Sequence, residues 1–294
     1  MKKILITGAN SFIGISIERW LMREPEKYQV DTVDTMNDAW KQADFSGYDI
    51  VFHVAGIAHV DPKPEMAPLY YKVNRDLTIE IAKNAKACGV KQFVFMSSRI
   101  VYHASKSLKG DVTTLNTKPN PNDFYGDSKL QAEQELNKLA CDTFKVANLR
   151  PCMIYGPNSK GNFLRLGWLA TKTPVFPAWH NKRSMLYIDN LAEFVKQVID
   201  RELYGTFYPQ NAEFVDTVEV VRYFANKYNH KIWISKLFNP FVWIGAFFIP
   251  QISKMFSNSY YVPEMSKYDF DYQLVSFEDS LRGLEITGAN RKMK

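Results

Sequence analysis

The sequence predicts an α/β fold of the Rossmann type, with a doubly wound parallel sheet and a smaller α/β C-terminal cap that binds substrate. Two patterns predict it. Short apolar runs that indicate buried strands alternate with amphipathic helical stretches through the first half of the chain, as in parallel sheets with helices on both faces. The turn between the first strand and the first helix contains glycines and has the βαβ context of a phosphate-binding loop.

The elements follow one another regularly up to residue 151. Apolar, β-rich runs predict strands, and stretches with apolar residues three and four positions apart predict helices. The longest helix ends at Gly89, a common stop signal. The predicted strands are 3–7, 28–34, 48–56, 91–98 and 144–151, and the predicted helices are 12–22, 67–89 and 125–140.

From Tyr155 the pattern becomes less regular. Helical stretches at 162–170 and 216–229, a strand entering a helix at 184–199 and a short strand at 231–235 are still visible, and Ser276 with Asp279 predicts a capping box near the end. We predict that residues 1–155, with a return segment at about 185–203, form the Rossmann-type domain. Residues 156–184 and 204–294 would then form the smaller substrate-binding cap.

Composition excludes several function classes. The 294 residues suffice for one large domain with an appendage, and the net charge of +6 suits anionic ligands. No Lys/Arg run marks a nucleic-acid tail, so no nucleic-acid partner is expected. Three separated cysteines without CxxC spacing argue against a disulfide framework or zinc site, and His53 has no ligand partner nearby, so no metal is predicted. The apolar run at the start is too short for a signal peptide, which predicts a cytoplasmic protein.

The stretch "ITGANSFIG" joins the first strand to the first helix. Such a turn lets backbone N–H groups and the helix N-terminus face a pyrophosphate, although the motif G-x-G-x-x-G is absent. The alternative is an ordinary strand–helix connection. We predict cofactor contacts from Gly8, Asn10, Ser11, Phe12, Ile13 and Gly14.

Asp34 lies 20 residues beyond Gly14, at the predicted end of the second strand. A carboxylate there can accept hydrogen bonds from both hydroxyls of an adenosine ribose and would repel a 2′-phosphate. No arginine is close by, so we predict NAD, with NADP less favoured. Asp31 is the alternative if the strand register differs, and either aspartate could be a solvated turn residue.

Tyr125 and Lys129 in "YGDSK" are four residues apart and share one face of the predicted helix. A neighbouring cation favours the phenolate and is expected to lower the pKa of the tyrosine, which could then exchange a proton with an alcohol or ketone. Ser97 and Ser98 end a predicted strand at the edge where such sheets bind ligands. The Tyr/Lys spacing alone is common on helix surfaces. The strand-end serines and the glycine loop support a catalytic role for this pair.

Together, "TGANSFIG", "VFHVAG", "FVFMSSRIVY", "YGDSK" and "RSMLYIDNLA" resemble the extended short-chain dehydrogenase/reductase family, and the last two resemble its nucleotide-sugar members. The resemblance covers the chain to about Leu191 and more loosely beyond. It implies that Tyr125 is the catalytic acid/base, that Lys129 lowers its pKa and binds the nicotinamide ribose, and that Ser98 holds the substrate oxygen.

The same resemblance implies further contacts. Asp44 and Phe45 match the position that packs on adenine, and Asn74 would support the site from its helix. Arg183 matches an arginine that binds the diphosphate of a UDP-sugar, and Asn162 matches another nucleotide contact, although it could simply cap a helix. The residues expected to lie along the cofactor are Val54, Ala55, Gly56, Ser97 and Pro151.

Departures from the family pattern narrow the reaction. Arg99 and Ile100 stand where nucleotide-sugar 4,6-dehydratases carry an Asp-Glu pair, so dehydration is not expected. Met153, Ala58 and His103 replace residues typical of UDP-galactose 4-epimerases. "RPCMIYGP", "GNFLRL" and "NKRSMLYIDNLAEF" look most like 4-ketoreductases of bacterial capsule and O-antigen pathways. We predict reduction of a UDP-2-acetamido-2,6-dideoxy-4-ketohexose, with a UDP-hexose 4-epimerase as the alternative and a noncatalytic NAD-binding sensor as a remote one.

The segment 239–256 is unusually apolar but is interrupted by Pro250 and too short to span a bilayer. We favour a buried helix pair that closes the sugar pocket or forms a dimer contact. The alternative is an interfacial helix that gives weak association with the inner face of the membrane. The resemblance also implies a homodimer formed through the helices at 67–88 and 125–140.

Overall fold

A computed structural model describes residues 1–36, 38–58, 63–103, 105, 107–159 and 162–286, without the side chains of Ala39 and Asn162. In chain order its strands are β1 Lys2–Thr7, β2 Tyr28–Val33, β3 Ile50–His53, β4 Gln92–Met96, β5 Asp111–Thr113, β6 Lys145–Leu149, β7 Met153–Tyr155, β8 Val175–Pro177, β9 Met185–Tyr187, β10 Gly205–Phe207, β11 Trp233–Ser235 and β12 Ser259–Tyr261. Its α-helices are α1 Phe12–Leu21, α2 Ala67–Tyr70, α3 Leu77–Ala87, α4 Phe124–Leu139, α5 Asn162–Ala170, α6 Ile188–Asp200, α7 Thr217–Lys227, α8 Asn239–Phe248, α9 Pro250–Phe256 and α10 Phe277–Arg282.

The central sheet has six strands in the order β10-β6-β4-β3-β1-β2, and every pairing is parallel. The chain moves outward from β1 to β2 and then returns to the other side of β1 as β3. In such sheets ligands bind outside the carboxyl ends of the strands, where the strand order reverses. The predicted doubly wound Rossmann-type sheet is therefore confirmed, and the reversal places the loop after β1 at the expected ligand edge.

The sheet is buried on both faces because its central strands are apolar at successive positions. In β1, Ile4 and Ile6 belong to one core cluster, which includes residues of α1 and α6. Leu5 belongs to a second cluster, which includes residues of α3 and α4. Each large side chain buried in this way contributes about 1.5–3 kcal/mol to stability.

The predicted elements of the first half form within a few residues of their expected bounds. The long predicted helix from residue 67 is helical to Ala87, but its middle turn, Tyr71–Asp76, is a π-helix. Near the other end of the chain, Ser276 caps α10 by accepting a 3.1 Å hydrogen bond from the Asp279 backbone N–H, as the capping pattern predicts.

The rest of the chain adds small two-stranded sheets, β7 with β9, β8 with β11 and β5 with β12. The central sheet ends with β10, which begins two residues after the predicted return segment. This strand lies in the range assigned to the cap, while the division into two domains remains a prediction.

The apolar segment differs from the favoured expectation of burial against its own chain. It forms α8 and α9, with Val242 and Phe256 buried but Trp243, Phe247 and Phe248 exposed. The physical reason is that α8 is apolar on all sides, and a helix packed on one side of a protein buries only one face. None of the described helices has the length and apolarity needed to cross a membrane.

Candidate active site

The turn after β1 lies directly against the end of β3. Gly8 has a φ of +105°, and a Cβ at this position would lie 2.8 Å from the backbone N of Ala55. The Gly8 N–H donates a 3.0 Å hydrogen bond to the Val33 carbonyl at the end of β2. Only glycine combines this backbone conformation with this close approach. The turn therefore joins the carboxyl ends of three neighbouring strands.

Ser11 begins α1 by accepting a 3.0 Å hydrogen bond from the Gly14 N–H. Phe12 and Ile13 occupy the first turn of α1, where N–H groups have no acceptor within the helix. Asn10, with a φ of +66°, lies between the glycine turn and the cap. These N–H groups and the positive end of the helix dipole suit the pyrophosphate of a dinucleotide.

Asp34 directly follows β2 and is exposed at the carboxyl edge of the sheet, where its Oδ1 accepts a 2.9 Å hydrogen bond from the Met36 N–H. Asp31, the alternative, lies within β2, and its Oδ2 accepts a 3.0 Å hydrogen bond from the Tyr48 hydroxyl. The structure thus gives Asp34 the position that a ribose-binding carboxylate requires.

The side chain of Phe45 is not accessible to an adenine ring. Its ring is fully buried in the core with Trp40 and Val51. The neighbouring Asp44 is exposed and accepts hydrogen bonds from the N–H and hydroxyl of Ser46, which lower the pKa of its carboxyl. Phe45 is therefore a core residue, because its side chain turns inward. The backbone of Phe45 and the residue Asp44 remain the candidate adenine contacts.

The residues after β3 line the same edge. Val54 and Ala55 both donate backbone hydrogen bonds to the Thr7 carbonyl, at 3.1 and 3.0 Å. Gly56 follows, and the position of its missing Cβ lies 3.0 Å from Asn74 Oδ1 and 3.1 Å from Lys129 Nζ. Asn74 is fully buried in the π-helical turn, and its Oδ1 accepts a 2.8 Å hydrogen bond from the Ile57 N–H. Asn74 thus fixes the loop after β3 beside the predicted catalytic lysine.

The start of α4 brings Tyr125 to Ser98. Asp123 caps this helix by accepting a 2.7 Å hydrogen bond from the Gly126 N–H. Gly126 packs so closely on the segment after Ser98 that a Cβ would overlap the Ile100 carbonyl oxygen. The hydroxyls of Ser98 and Tyr125 are hydrogen-bonded to one another. The predicted serine and tyrosine therefore meet at the end of β4.

Lys129 lies one helical turn after Tyr125 and is 4% exposed. Its Nζ donates a 2.9 Å hydrogen bond to the Met96 carbonyl and lies 4.7 Å from the centre of the Phe95 ring. Burial lowers the pKa of this ammonium to about 8, partly offset by the charge of Glu133. The ammonium is thus a cation held in a mainly apolar environment next to the end of β4.

The pKa of Tyr125 departs from the expectation. Removal of its phenol from water raises the pKa to about 12, while the hydrogen bond from Ser98 acts in the opposite direction. The expected lowering of this pKa below the usual tyrosine value is therefore not found, because desolvation is the larger effect, and a contribution of Lys129 to the pKa of Tyr125 stays a prediction. Tyr125 is protonated at neutral pH, which is the state that a proton donor requires.

Glu133 is a residue of this site that the sequence did not predict. It follows Tyr125 and Lys129 at the same spacing of four, so the signal was present in "YGDSKLQAE". It accepts a hydrogen bond from the Ser97 hydroxyl and a 3.0 Å one from Arg150 Nε. Ser97 therefore belongs to a buried ionic network under the site.

Two arginines lie close together, and both contact Ser259. Arg99 directly follows Ser98, and its Nη1 donates a 2.8 Å hydrogen bond to Ser259 Oγ. Arg183 pairs with the backbone of Ser259 and donates hydrogen bonds from Nη1 to the carbonyls of Lys254, at 2.5 Å, and Met255, at 3.4 Å. Burial and the charge of Arg99 lower the pKa of Arg183 to about 10.

This arginine pair has no counter-ion among the described residues. Within the described part of the chain, neither Arg99 nor Arg183 forms an ion pair with a carboxylate, and Nε of Arg99 is buried without a hydrogen-bond partner. Two neighbouring cations without a counter-ion form a site for an anion such as a diphosphate. The family resemblance implied this role for Arg183, whereas the sequence did not predict it for Arg99.

The remaining candidates are Pro151 and Asn162. Pro151 follows β6, and its carbonyl accepts a 2.9 Å hydrogen bond from the Arg99 N–H. Asn162 begins α5, but its side chain lies outside the described residues. Across the parts of the chain that the structure covers, no group of three or more His, Cys, Asp or Glu side chains is arranged to hold a metal ion.

Comparison with known proteins gives consistent matches. Residues 4–207 match the model of a family described as "NAD dependent epimerase/dehydratase family". A Vibrio cholerae protein named UDP-glucose 4-epimerase is 31% identical over 79% of this chain and 77% of its own length. A protein of Escherichia coli O157:H7 named N-acetyl-alpha-D-glucosaminyl-diphospho-ditrans,octacis-undecaprenol 4-epimerase is 26% identical over 88% of this chain and 82% of its own length.

A solved structure shares the fold. The UDP-N-acetylglucosamine 4-epimerase from Bacillus cereus superposes with a TM-score of 0.67, covering 96% of this chain and 99% of that one at 19% sequence identity.

Proposed function

Because the chain belongs to the NAD-dependent epimerase/dehydratase family, we propose that it transfers hydride at C4 of a nucleotide-linked sugar. The favoured reaction is reduction of a UDP-linked 4-keto-6-deoxy-2-acetamidohexose. The observation that carries this proposal is the hydrogen-bonded pair of Ser98 and Tyr125 at the carboxyl end of β4, next to the Lys129 ammonium. We assign these three residues the catalytic roles.

The chain provides each function that ketone reduction needs. Ser98 and Tyr125 would both donate hydrogen bonds to the C4 carbonyl oxygen, which polarises the carbonyl and places it for attack. NAD, when bound in its reduced form, supplies the hydride that adds to C4. Tyr125 then gives its proton to the alkoxide oxygen, and the resulting phenolate takes a proton back from solvent. The raised pKa of Tyr125 favours this direction, because the phenol is protonated before reaction.

Lys129 supports the same steps electrostatically. Its buried ammonium lies one turn from the Tyr125 phenol, so it would stabilise the phenolate that forms only during the reaction. The hydrogen bond to the Met96 carbonyl fixes the position of the ammonium group. Lys129 would also hold the nicotinamide ribose.

The arginine pair supports a diphosphate-linked substrate. Arg99 directly follows Ser98 and shares the contact to Ser259 with Arg183, and neither arginine has a carboxylate partner in the described chain, which favours an anionic group of the substrate there. Arg99 and Ile100 provide no acid/base pair for eliminating water. A 4,6-dehydratase is therefore disfavoured on chemical grounds.

A UDP-hexose 4-epimerase is the second candidate, and the names of the Vibrio cholerae and Escherichia coli relatives favour it. It would use the same three residues, with Tyr125 accepting a proton during oxidation and returning it after the 4-keto sugar turns over.

The family is NAD-dependent, so the predicted dinucleotide cofactor is confirmed. The residues of the turn after β1 fit its pyrophosphate: Gly8, Asn10, Ser11, Phe12, Ile13 and Gly14. We propose Asp34 as the contact to the adenosine ribose and NAD as the preferred form over NADP. Further along the cofactor we propose Asp44, the Phe45 backbone, Val54, Ala55, Gly56, Asn74, Ser97 and Pro151.

The wider setting is also proposed. The Escherichia coli relative is named for a polyprenyl-linked sugar, which supports a role in surface polysaccharide precursor synthesis. We propose a cytoplasmic homodimer formed through the helical region 67–87 and α4, with Asn162 as a further nucleotide contact.

The direction of the reaction is tested by incubating the purified protein with NADH and a panel of UDP-hexoses and UDP-4-keto-6-deoxyhexoses. A reductase consumes one NADH for each sugar product. An epimerase converts a UDP-hexose with no net change in NADH absorbance. Failure to convert any member of either panel would contradict the proposed function.

The acid is tested separately with Tyr125→Phe. We expect a loss of about 10²–10⁴-fold in kcat, with NADH binding by fluorescence retained. Tyr71→Phe is the matched control, because this nearby tyrosine donates its 2.6 Å hydrogen bond to Asp127 instead of facing Ser98. Unchanged turnover in Tyr125→Phe would exclude Tyr125 as the proton donor.

A further inference from the structure

The segment 236–256, which we call the apolar hairpin, exposes a continuous set of large apolar side chains. Phe247 is 85% exposed and Trp243 is 70% exposed. The exposed members on this face are Leu237, Phe241, Trp243, Ile244, Phe247 and Phe248. Single exposed apolar residues are common, whereas a contiguous exposed group of this size marks an interaction surface.

The hairpin is nevertheless fixed to the protein on its inner side. Val242 and Phe256 are buried, and α8 packs closely on α9, since a Cβ at Gly245 would lie 2.6 Å from Ile252 Cδ1. The Asn239 side chain donates a 3.2 Å hydrogen bond to the Ala178 carbonyl. The outward direction of the aromatic residues therefore follows from ordered packing of the opposite face.

The formal charges within the hairpin's own stretch of sequence are of one sign. No aspartate or glutamate occurs between Glu219 and Glu264. Lys231, Lys236 and Lys254 are exposed there, and none of them forms an ion pair with the described residues. Such a surface complements a partner that is apolar in its interior and negatively charged at its face.

These properties fit an anionic bilayer better than a second copy of the chain. A two-fold interface would bring the same lysines of two copies together without an acidic counterpart nearby. In a bilayer, phenylalanine and tryptophan side chains enter the interfacial region while lysines contact anionic headgroups. The ten residues of α8 extend only about 15 Å, so the hairpin would lie in the interface and would not cross it.

We propose that the apolar hairpin docks the protein on the surface of an anionic phospholipid bilayer. The aromatic side chains of α8 insert among the headgroups, and Lys236 and Lys254 bind the phosphate groups of the lipids. The carbonyls of Lys254 and Met255, at the end of α9, accept hydrogen bonds from Arg183. Docking therefore places the candidate substrate site next to the bilayer. The docking itself does not depend on which sugar the enzyme uses.

The test is flotation of the full-length protein with vesicles of phosphatidylglycerol and phosphatidylcholine, and with vesicles of phosphatidylcholine alone. We expect flotation with the anionic vesicles, weakening as salt is raised. The double variant Trp243→Ser/Phe247→Ser should reduce the bound fraction at least tenfold, and Lys236→Glu/Lys254→Glu should abolish the preference for anionic lipid. The control Leu115→Ser/Tyr204→Ser removes two comparably exposed side chains elsewhere and should float like the unmodified protein.

Folding of each variant is checked by its thermal midpoint and by NADH binding, since none of the proposed NADH contacts lies in the hairpin. The proposal is overturned if the unmodified protein fails to float, or if the aromatic double variant floats equally well. It is also overturned if that variant changes only the oligomeric state in ultracentrifugation, which would identify a second copy as the occupant. Because flotation needs no substrate, its result is independent of the proposed reaction.

Discussion

The ammonium of Lys129 donates a 2.9 Å hydrogen bond to the backbone carbonyl of Met96, the last residue of β4. This contact ties the helix that carries Tyr125 to the strand that leads to Ser98. It also holds a positive charge in a buried position where burial lowers the pKa of Lys129 to about 8. The charge that would assist catalysis is therefore maintained at a cost in stability.

This cost predicts a specific pH dependence of stability. The pKa of Lys129 is about 8 in the folded chain and about 10.4 in an unfolded one. Between these values the unfolded chain binds more protons, so the Lys129 contribution to the free energy of unfolding rises with pH, by on the order of 3 kcal/mol in total. Below pH 8 Lys129 is charged in both states, and its burial destabilises the fold by the full amount. Urea denaturation at pH 7, 8 and 9 should show this rise in the unmodified protein relative to Lys129→Met.

Lys138→Met is the control, because this exposed lysine lies on the same helix and pairs with Glu135. It should keep the pH dependence of the unmodified protein. Parallel stability curves for the unmodified protein and Lys129→Met would contradict the lowered pKa.

The ion pair of Glu133 and Arg150 predicts a large effect on stability. Both side chains are buried, and Arg150 also donates a 2.8 Å hydrogen bond to the Tyr102 hydroxyl. Glu133→Gln leaves the guanidinium without its counter-charge, so we expect a loss of about 3–5 kcal/mol in the free energy of unfolding. Glu135→Gln, on the exposed side of the same helix, should change it by less than about 1 kcal/mol. Equal urea midpoints for the two variants would show that the pair has no such role.

The sequence predicted the central sheet well because each strand is a compact apolar run and each helix has a regular period. It located Ser98, Tyr125 and Lys129 because the ends of parallel strands and one face of a helix follow directly from spacing. It could not predict that burial would raise the pKa of Tyr125, since desolvation depends on packing from distant segments. The burial of Phe45 and the exposure of Phe247 were missed for the same reason: apolarity alone does not reveal which face a side chain takes.

The arginine pair predicts a split between substrate binding and turnover. Arg99 and Arg183 have no carboxylate partner in the described chain, so a diphosphate would restore the local charge balance. Arg99→Met should raise KM for the nucleotide sugar by about 10–100-fold, corresponding to about 1.5–3 kcal/mol for a charge-assisted hydrogen bond. It should alter kcat little and leave KM for NADH unchanged. Arg282→Met, which removes an exposed arginine paired with Glu278, should change none of these values. An unchanged KM for the sugar in Arg99→Met would remove this residue from the anion site.

Asp34 predicts the choice between NAD and NADP. It stands exposed at the end of β2, where its carboxylate is free to accept hydrogen bonds from ribose hydroxyls and would repel a 2′-phosphate. Asp34→Ser removes both effects, so KM for NADH should rise about tenfold or more while KM for NADPH falls. Asp31→Asn is the matched control: this carboxylate lies within β2 and is bonded to Tyr48, so its loss should leave the ratio of the two KM values unchanged. Steady-state kinetics with both cofactors gives that ratio directly. If Asp31→Asn shifts it and Asp34→Ser does not, the ribose contact belongs to Asp31, and the register inferred for the dinucleotide along β2 is wrong.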